Sequence, residues 1–550
     1  MATDNQIAFP VLPERDIEAL RARGAERAVG AGEILFAEGE QNFPFFVVLQ
    51  GDIEIVERSS GTLHTVATHG PGEFIGDVDL LSGRAALVEA RAATDGKVLE
   101  LSSVQLRRAV DELADLGERL VKAFLARRRL LIEDGFEGVR IIGSRFSPEA
   151  HRLRDFATRN GIPFRFLDLE TDQEAEKLLC QFNVPVSATP IVMDGEGTWY
   201  SNPSLGDIGA CLGMVQVAEE GRVYDLVIVG AGPAGLAASV YAASEGLEVL
   251  TAESLAPGGQ AGTSTRIENY LGFPAGISGN ELMQNALLQA QKFGARITVP
   301  CTVRSLGVEG GERVVTLTDG TRIRSRCVLV ATGVSYRRLD VPRFADFENA
   351  GIYYAATEME AKLCRGEEVV VVGGGNSAGQ AVVFLAKHAR HVHVLCRSDD
   401  LSKGMSRYLV NHVEGLPNVT VHNRSVVAGL EGNGTLSAVQ VRTGSADFMR
   451  LDTSSLFLFI GADAKTDWLR GCVELDRKGF VLTGPDLPPG TAESEAWRSA
   501  GRPPFLLETS LPGVFAAGDV RSGSVKRCAS AVGEGGMAVS FVHTHIARPV

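Results

Sequence analysis

Apolar and polar positions follow one another in four different rhythms along this chain. Over 1–115 the apolar runs are short and broken by Gly, Asp and Asn, the pattern of strands and turns. Phe45–Leu49 and Ile53–Val56 flank Gln50-Gly51-Asp52, which predicts a hairpin. Over 103–133 apolar residues recur every three or four positions, which predicts helix. Arg127-Arg128-Arg129 near its end is expected to be a solvated basic face. From 138 the rhythm becomes strand (138–143), helix (148–160) and strand (164–169). A short polar linker occupies 216–223, and β–α–β alternation runs from there to the end. Asp225–Ala238 and Glu368–Ala381 repeat one plan, an apolar strand feeding a glycine turn and a helix of small residues. Two such units in one chain predict two nucleotide-binding domains.

Length and composition narrow the picture. A chain of 550 residues exceeds one core, and about 150 residues per domain predicts three or four domains. The net charge of −14 argues against general nucleic-acid or anionic-membrane binding. The two longest uncharged stretches, Leu226–Ser244 and Val369–Ala386, each contain a glycine cluster, so they read as strand–turn–helix and no membrane span is expected. Eight cysteines are scattered without any C-x-x-C pair, so neither a metal site nor a local redox pair is expected. Sparse cysteine and an N-terminus without an apolar signal region point to the cytoplasm.

The candidate chemistry lies in the two glycine turns. In the first, Val227–Val229 leads into Gly230-Ala231-Gly232-Pro233-Ala234-Gly235. Gly230 permits the tight turn, Gly232 lets backbone approach a pyrophosphate, and Gly235 lets the helix lie close to the strand. Phosphates then meet the open N–H groups of a helix N-terminus. Glu253 ends the next strand, where an acid accepts from ribose hydroxyls and repels a 2′-phosphate. The second turn is Gly373-Gly374-Gly375-Asn376-Ser377. The strand after it ends at Cys396-Arg397, with no acid at the discriminating place, and Lys403 and Arg407 follow. A planar guanidinium there suits a 2′-phosphate, which points to NADPH over NADH.

Further motifs join these turns. Gly258-Gly259-Gln260, Ile267-Glu268-Asn269-Tyr270-Leu271-Gly272-Phe273-Pro274, Ala331-Thr332-Gly333 and Gly513–Asp519 follow in order. Together they resemble the low-molecular-weight thioredoxin reductases over 223–550. The resemblance implies an FAD domain made of 223–337 and 464–550, with an NAD(P) domain, 338–463, inserted between its halves. It implies FAD contacts from Gly259, Gln260, Asn269, Thr332, Gly333, Gly518 and Asp519, and a flavin-edge contact from Arg527, Cys528 and Ala529. It also implies a homodimer and a domain rotation for hydride transfer. That family carries a C-x-x-C pair shortly before its second glycine turn. Here the stretch reads Tyr354-Ala355-Ala356-Thr357-Glu358, which places Ala355 and Glu358 where the cysteines would be. A methyl group and a carboxylate cannot form a disulfide. Glu358 becomes a candidate proton donor near the flavin, and Cys528 reads as a packed small residue.

Two N-terminal modules complete the chain. Residues 136–215 resemble a thioredoxin or glutaredoxin fold, with Ala188-Thr189-Pro190-Ile191-Val192 as the cis-proline strand. Ser144 and Ser147 stand where a C-x-x-C would open the helix, so this module too is redox-silent. Residues 1–135 resemble a cyclic-nucleotide-binding domain, a β jelly roll. Gly76-Asp77 and Arg84-Ala85 match the family's ribose and phosphate contacts, although Asp replaces the usual Glu and Ala the usual Ser or Thr. The expected architecture is therefore a jelly roll, a thioredoxin-like α/β domain, and two Rossmann-like domains for FAD and NAD(P). The expected activity is FAD-dependent NADPH oxidation that passes electrons to an unidentified acceptor. Two alternatives stand beside it, a nucleotide-responsive regulatory flavoprotein with little turnover and a thioredoxin reductase that borrows its partner's thiols.

Overall fold

A computed structural model of the chain describes residues 7–547 apart from 60–61, 134–138, 182–183, 194–197, 216–220, 265–266, 268, 349, 355, 357 and 445–446. The side chains of 58–59, 62–63, 133, 358–359 and 462 also lie outside it.

The N-terminal region holds helix α1 (Glu14–Arg21) and strands β1 (Ala25–Val29), β2 (Ile34–Phe36), β3 (Phe45–Gln50) and β4 (Ile53–Ser59). Strands β5 (Thr62–His69), β6 (Phe74–Ile75), β7 (Glu89–Ala92) and β8 (Gly96–Leu101) follow. They form two antiparallel sheets, ordered β1-β8-β3-β6 and β2-β7-β4-β5. The predicted hairpin is therefore a corner. β3 pairs with β8 and β6, while β4 pairs with β5 and β7. The glycine signal marked a turn correctly, but Phe45–Val48 are buried in succession, as in a strand covered on both faces. Helices α2 (Ser103–Glu112) and α3 (Ala114–Glu133) close the region, and Phe124 of α3 packs edge-on to Phe45 and Phe74.

The basic run on α3 also departs from expectation, because Arg127 and Arg128 are buried. Arg127 lies over the Phe74 ring at 4.3 Å and donates to the carbonyls of Ala8, Phe74 and Gly76. Arg128 donates to the carboxylates of Asp77 and Asp79. Charge that looks solvated along the chain is here consumed by carbonyls and carboxylates that are distant in sequence.

The next module comprises β9 (Arg140–Gly143), α4 (Pro148–Arg159), β10 (Arg165–Asp168) and α5 (Gln173–Gln181). It continues with β11 (Ile191–Met193), β12 (Trp199–Ser201) and α6 (Leu205–Cys211). The sheet order is β10-β9-β11-β12, with β9 and β10 parallel and the last two strands antiparallel. The Thr189–Pro190 bond is cis. Ser147 caps α4 by accepting from the Ala150 N–H, and the Ser144 hydroxyl donates to Glu170.

A seven-stranded sheet follows. It contains β13 (Val223–Val229), β14 (Val249–Ala252), β15 (Arg296–Thr298), β16 (Val303–Glu309), β17 (Glu312–Leu317) and β18 (Arg322–Val330). Helices α7 (Pro233–Ser244) and α8 (Gly279–Lys292) connect its parallel strands. A two-stranded ribbon of β19 (Val334–Tyr336) and, much later, β28 (Ala462–Ala464) leads out of this unit and back. Between them lies a five-stranded parallel sheet ordered β20-β27-β21-β22-β23. Its strands are β20 (Ile352–Tyr353), β21 (Glu368–Val372), β22 (His391–Cys396), β23 (Val419–Asn423) and β27 (Ser455–Leu458). Helices α9 (Glu358–Leu363), α10 (Asn376–Leu385) and α11 (Arg407–Glu414) belong to it. So does an antiparallel layer of β24 (Ser425–Asn433), β25 (Thr435–Thr443) and β26 (Asp447–Asp452). After the ribbon, β29 (Val514–Ala516) adds parallel to β18, and α12 (Cys528–Ile546) ends the described chain.

Both uncharged stretches are strand–turn–helix units, β13–α7 and β21–α10. Among the described residues no helix is long and apolar enough to cross a membrane. The apolar core of the 140–214 module is continuous with that of the seven-stranded unit. Ile141, Leu153 and Phe156 share a cluster with Leu236, Met283 and Ile297. Helix α7 is apolar all round because the sheet covers one side and α12 the other. At that crossing Gly535 lies directly on the Ala234 backbone, and a Cβ there would collide with the Ala234 carbonyl. Gly535→Ala should therefore cost about 1–3 kcal/mol in unfolding free energy. Gly533→Ala, whose Cβ would meet nothing within 4 Å, should cost none. Denaturant unfolding of the two variants measures the difference.

Candidate dinucleotide-binding site

The first site grows out of the turn after β13. Gly230 has φ +103°, and a Cβ on it would collide with the Ala331 carbonyl, so only glycine fits. Its N–H donates to the Ala252 carbonyl at 2.8 Å. α7 then starts at Pro233 with Gly232 as its N-cap and no side chain bonded to its open N–H groups. Such a terminus attracts anions through both donors and dipole. Beside it there is room, since a Cβ on Gly232 would find its nearest neighbour, the Gly259 Cα, at 4.0 Å. Glu253 follows β14 with its carboxylate facing this turn. One oxygen accepts from the Ala231 N–H at 2.8 Å and the other from the Leu255 N–H at 2.9 Å. The second oxygen also accepts from the Ser254 hydroxyl at 3.4 Å, while the first keeps a lone pair that suits a ribose hydroxyl.

The far end of the chain returns to the same place. Gly518 packs between the side chains of Ala234 on α7 and Ala531 on α12. Its N–H donates to Glu534 at 2.7 Å, and Glu534 also pairs with Arg521 at 2.6 Å. The sequence reading missed Glu534, whose only signal is a carboxylate between glycines on a helix that must lie close. Burial raises the Asp519 carboxyl above its usual range, against the pull of Lys526. α12 is a second helix whose start, at Arg527, has no side-chain cap. The Arg527 guanidinium is exposed and donates to the Lys526 carbonyl. Ala529 is exposed in the first turn. Burial pushes the Cys528 thiol up to about 11, so it is protonated at neutral pH. This fit suits a dinucleotide with a pyrophosphate, ribose hydroxyls and an electron-rich ring edge.

Some expected contacts are used differently. The Gln260 amide donates to the Val334 carbonyl at 2.9 Å, and the Thr332 hydroxyl donates to the Lys465 carbonyl at 2.9 Å. Both tie the first unit to the linker strands. Gly333, at φ +62°, lies at the start of the ribbon. Asn269 is exposed, and Glu268 lies outside the described residues.

The second turn repeats the first. Gly375 is the uncapped N-cap of α10, Gly373 has φ +147°, and Ser377 is exposed in the first turn. The Asn376 side-chain oxygen accepts from the Ser406 N–H at 2.7 Å, so it anchors the loop before α11. Lys403 is paired with Asp399 at 2.8 Å, and Asp399 also takes Arg424 at 2.6 Å. The acid four residues back thus offsets part of the charge of Lys403, a candidate coenzyme contact. Arg397 and Arg407 are exposed.

Ala355 lies outside the described residues, as does the Glu358 side chain; Glu358 itself begins α9. Their neighbour Ala356 forms a parallel bridge with Ser264 of the first unit, so this stretch rests on that unit. Tyr354 stacks on Tyr336 of β19 at 5.5 Å. The nearest following thiol, Cys364, is buried and pushed up to about 11. All eight cysteines are free. Among the described residues no cluster suits a metal ion.

In the N-terminal region Gly76 and Asp77 face inward. The Asp77 carboxylate accepts from Arg128 at 2.8 Å and from the Asp79 N–H at 2.9 Å. Arg84 donates to the Asn160 carbonyl at 3.0 Å, and Ala85 is buried against Gly213. The expected phosphate contacts are thus turned toward the neighbouring module.

Two glycine turns, each opening an uncapped helix on a parallel sheet, define a protein that binds two dinucleotides. The family model for pyridine nucleotide-disulphide oxidoreductases matches residues 224–535, and that for the cyclic nucleotide-binding domain matches 26–112. NADPH-dependent thioredoxin reductase 3 of Arabidopsis thaliana is 35% identical over 323 residues, 57% of this chain and 56% of that protein. Thioredoxin reductase of Mycolicibacterium smegmatis is 33% identical over 314 residues, covering 57% of this chain and 93% of that one. The T. acidophilum thioredoxin reductase structure is 27% identical with a TM-score of 0.52, over 60% of this chain and all of that one. The chain spans little more than half the length of the Arabidopsis relative. It belongs to the pyridine nucleotide-disulphide oxidoreductase family, a class of FAD-dependent oxidoreductases.

Glu253→Ala should leave two turn amides without their acceptor, at a cost of about 1–3 kcal/mol. The purified variant should retain less flavin than wild type, read from its ratio of 450 to 280 nm absorbance.

Proposed function

We infer that this chain is an FAD-dependent NADPH oxidoreductase whose electrons leave the flavin without an internal dithiol. The sequence around 351–361 carries the reading, because it contains no cysteine. The protonated state favoured for Cys364 and Cys528 supports it. We divide the chain into 1–135, 136–215, 223–337 with 464–550, and 338–463. The second of these is read as a thioredoxin-like module, on the strength of its strand order.

When bound, FAD takes a hydride from the nicotinamide and passes electrons on to an acceptor. The residues proposed to hold it are those of the Gly230–Gly235 turn, with Glu253 for the ribose, Asp519 for the ribityl chain and the α12 N-terminus for negative charge at the ring edge. In the 338–463 unit, the α10 N-terminus would take the coenzyme pyrophosphate. Arg397 and Arg407, for which no ion pair occurs among the described residues, would take a 2′-phosphate. The acceptor would be a ferredoxin-type protein, a quinone, a small disulfide or oxygen. Glu358 would serve as a proton donor near the flavin. A cytoplasmic homodimer is the expected form, and a cyclic nucleotide is the proposed ligand of the N-terminal domain.

Anaerobic stopped-flow mixing of the holoprotein with NADPH and NADH tests this reading. Rapid flavin bleaching at lower NADPH than NADH is expected, followed by multiple turnovers with an acceptor such as a quinone and no reduction of the disulfide of thioredoxin. Arg397→Ala should raise KM for NADPH by roughly tenfold, which is about 1.4 kcal/mol, with little effect on NADH. Tight NADPH binding without bleaching would favour a regulatory flavoprotein instead.

A further inference from the structure

The end of α4 lies between the N-terminal domain and the first dinucleotide site. On one side Arg84 donates to the Asn160 carbonyl at 3.0 Å. On the other, the buried Asn160 amide donates to the Leu255 carbonyl at 3.1 Å, and Arg159 donates to the Gly259 carbonyl at 3.1 Å. Gln284 of α8 donates to the Arg159 carbonyl at 3.1 Å and fixes this end from a third direction. Leu255 and Gly259 bound the segment that closes on the glycine turn. The Leu255 N–H reaches Glu253, and the Gly258 N–H donates to the Ala231 carbonyl at 2.7 Å. An unbroken set of hydrogen bonds therefore runs from Arg84 to the turn that would carry the FAD pyrophosphate. A cation beyond the last turn of α4 also complements the helix dipole.

We propose that Arg84 is a positioning residue of the FAD site, bracing the 255–259 segment through Asn160 and Arg159. This adds a function that no reductase unit of 223–550 alone contains, since all three residues lie outside it. One consequence rests on the reading of the N-terminal domain as a nucleotide binder. The space beside Arg84, walled by Met214, Pro257 and Leu287, is about 10 Å³, room for no more than a water molecule. A cyclic phosphate brought to Arg84 would compete with the Asn160 carbonyl for the guanidinium, so nucleotide binding is expected to weaken the brace.

The test is the rate of FAD release from the full-length holoprotein after dilution, followed by flavin fluorescence. Arg84→Ala should release FAD roughly fivefold faster or more, while Arg84→Lys, which keeps one donor for the carbonyl, should stay near wild type. KM for NADPH should not move. Arg159→Ala should also release FAD faster, which keeps the test open if Arg84→Ala fails to fold. Wild-type release rates in folded Arg84→Ala or in Arg159→Ala would overturn the brace, as would Arg84→Lys behaving like alanine. Cyclic AMP or cyclic GMP should speed release from wild type and leave Arg84→Ala unchanged. If neither nucleotide binds or alters release, the nucleotide reading of the N-terminal domain fails, and the variants alone decide the brace.

Discussion

The C-terminal half is organised around helix N-termini whose N–H groups have no side-chain partner. α7 and α12 both begin this way, and they cross so closely that Gly535 rests on the Ala234 backbone. Leaving such donors open is costly unless water or a ligand meets them. The surrounding residues are arranged to favour a ligand. Glu253 turns its carboxylate to the same turn, and Gly518 lets the returning chain pass between the two helices. The long excursion from β19 to β28 is consistent with this constraint, since the final helix must come back to complete the site that β13 begins.

The same architecture separates this chain from the reductases it resembles. A disulfide relay needs two thiols within reach of the flavin and a low enough pKa in one of them. The stretch that rests on the first unit beside Ser264 carries Ala356 and, in sequence, no cysteine. In the 140–214 module Ser147 serves as a helix cap and Ser144 as a carboxylate partner. That module shares its core with the seven-stranded unit, so it is built into the protein as a fixed neighbour of the glycine turn.

Much of this was legible in the sequence because it is local. Glycine turns follow from backbone sterics, and the uncharged strand–helix units around Gly230 and Gly373 read correctly from pattern alone. What failed was non-local. Gly51 marked a turn, but only the second sheet decides that β4 leaves β3 behind. Arg127 and Arg128 looked solvated because their acceptors, Gly76, Asp77 and Asp79, are some fifty positions away. The bond from Arg84 to Asn160 was equally hidden, because Asn160 belongs to another module. No periodicity encodes such a contact.

On the proposed function, the flavin is the sole internal store of electrons. Anaerobic titration of the holoprotein with dithionite, followed at the flavin absorbance maximum, measures that store. Complete reduction at about one two-electron equivalent per flavin is predicted, with no thiols appearing on denaturation beyond those of the oxidised protein. Uptake of about two such equivalents, with two new thiols per chain, would reveal a disulfide in electronic contact with the flavin and contradict the account.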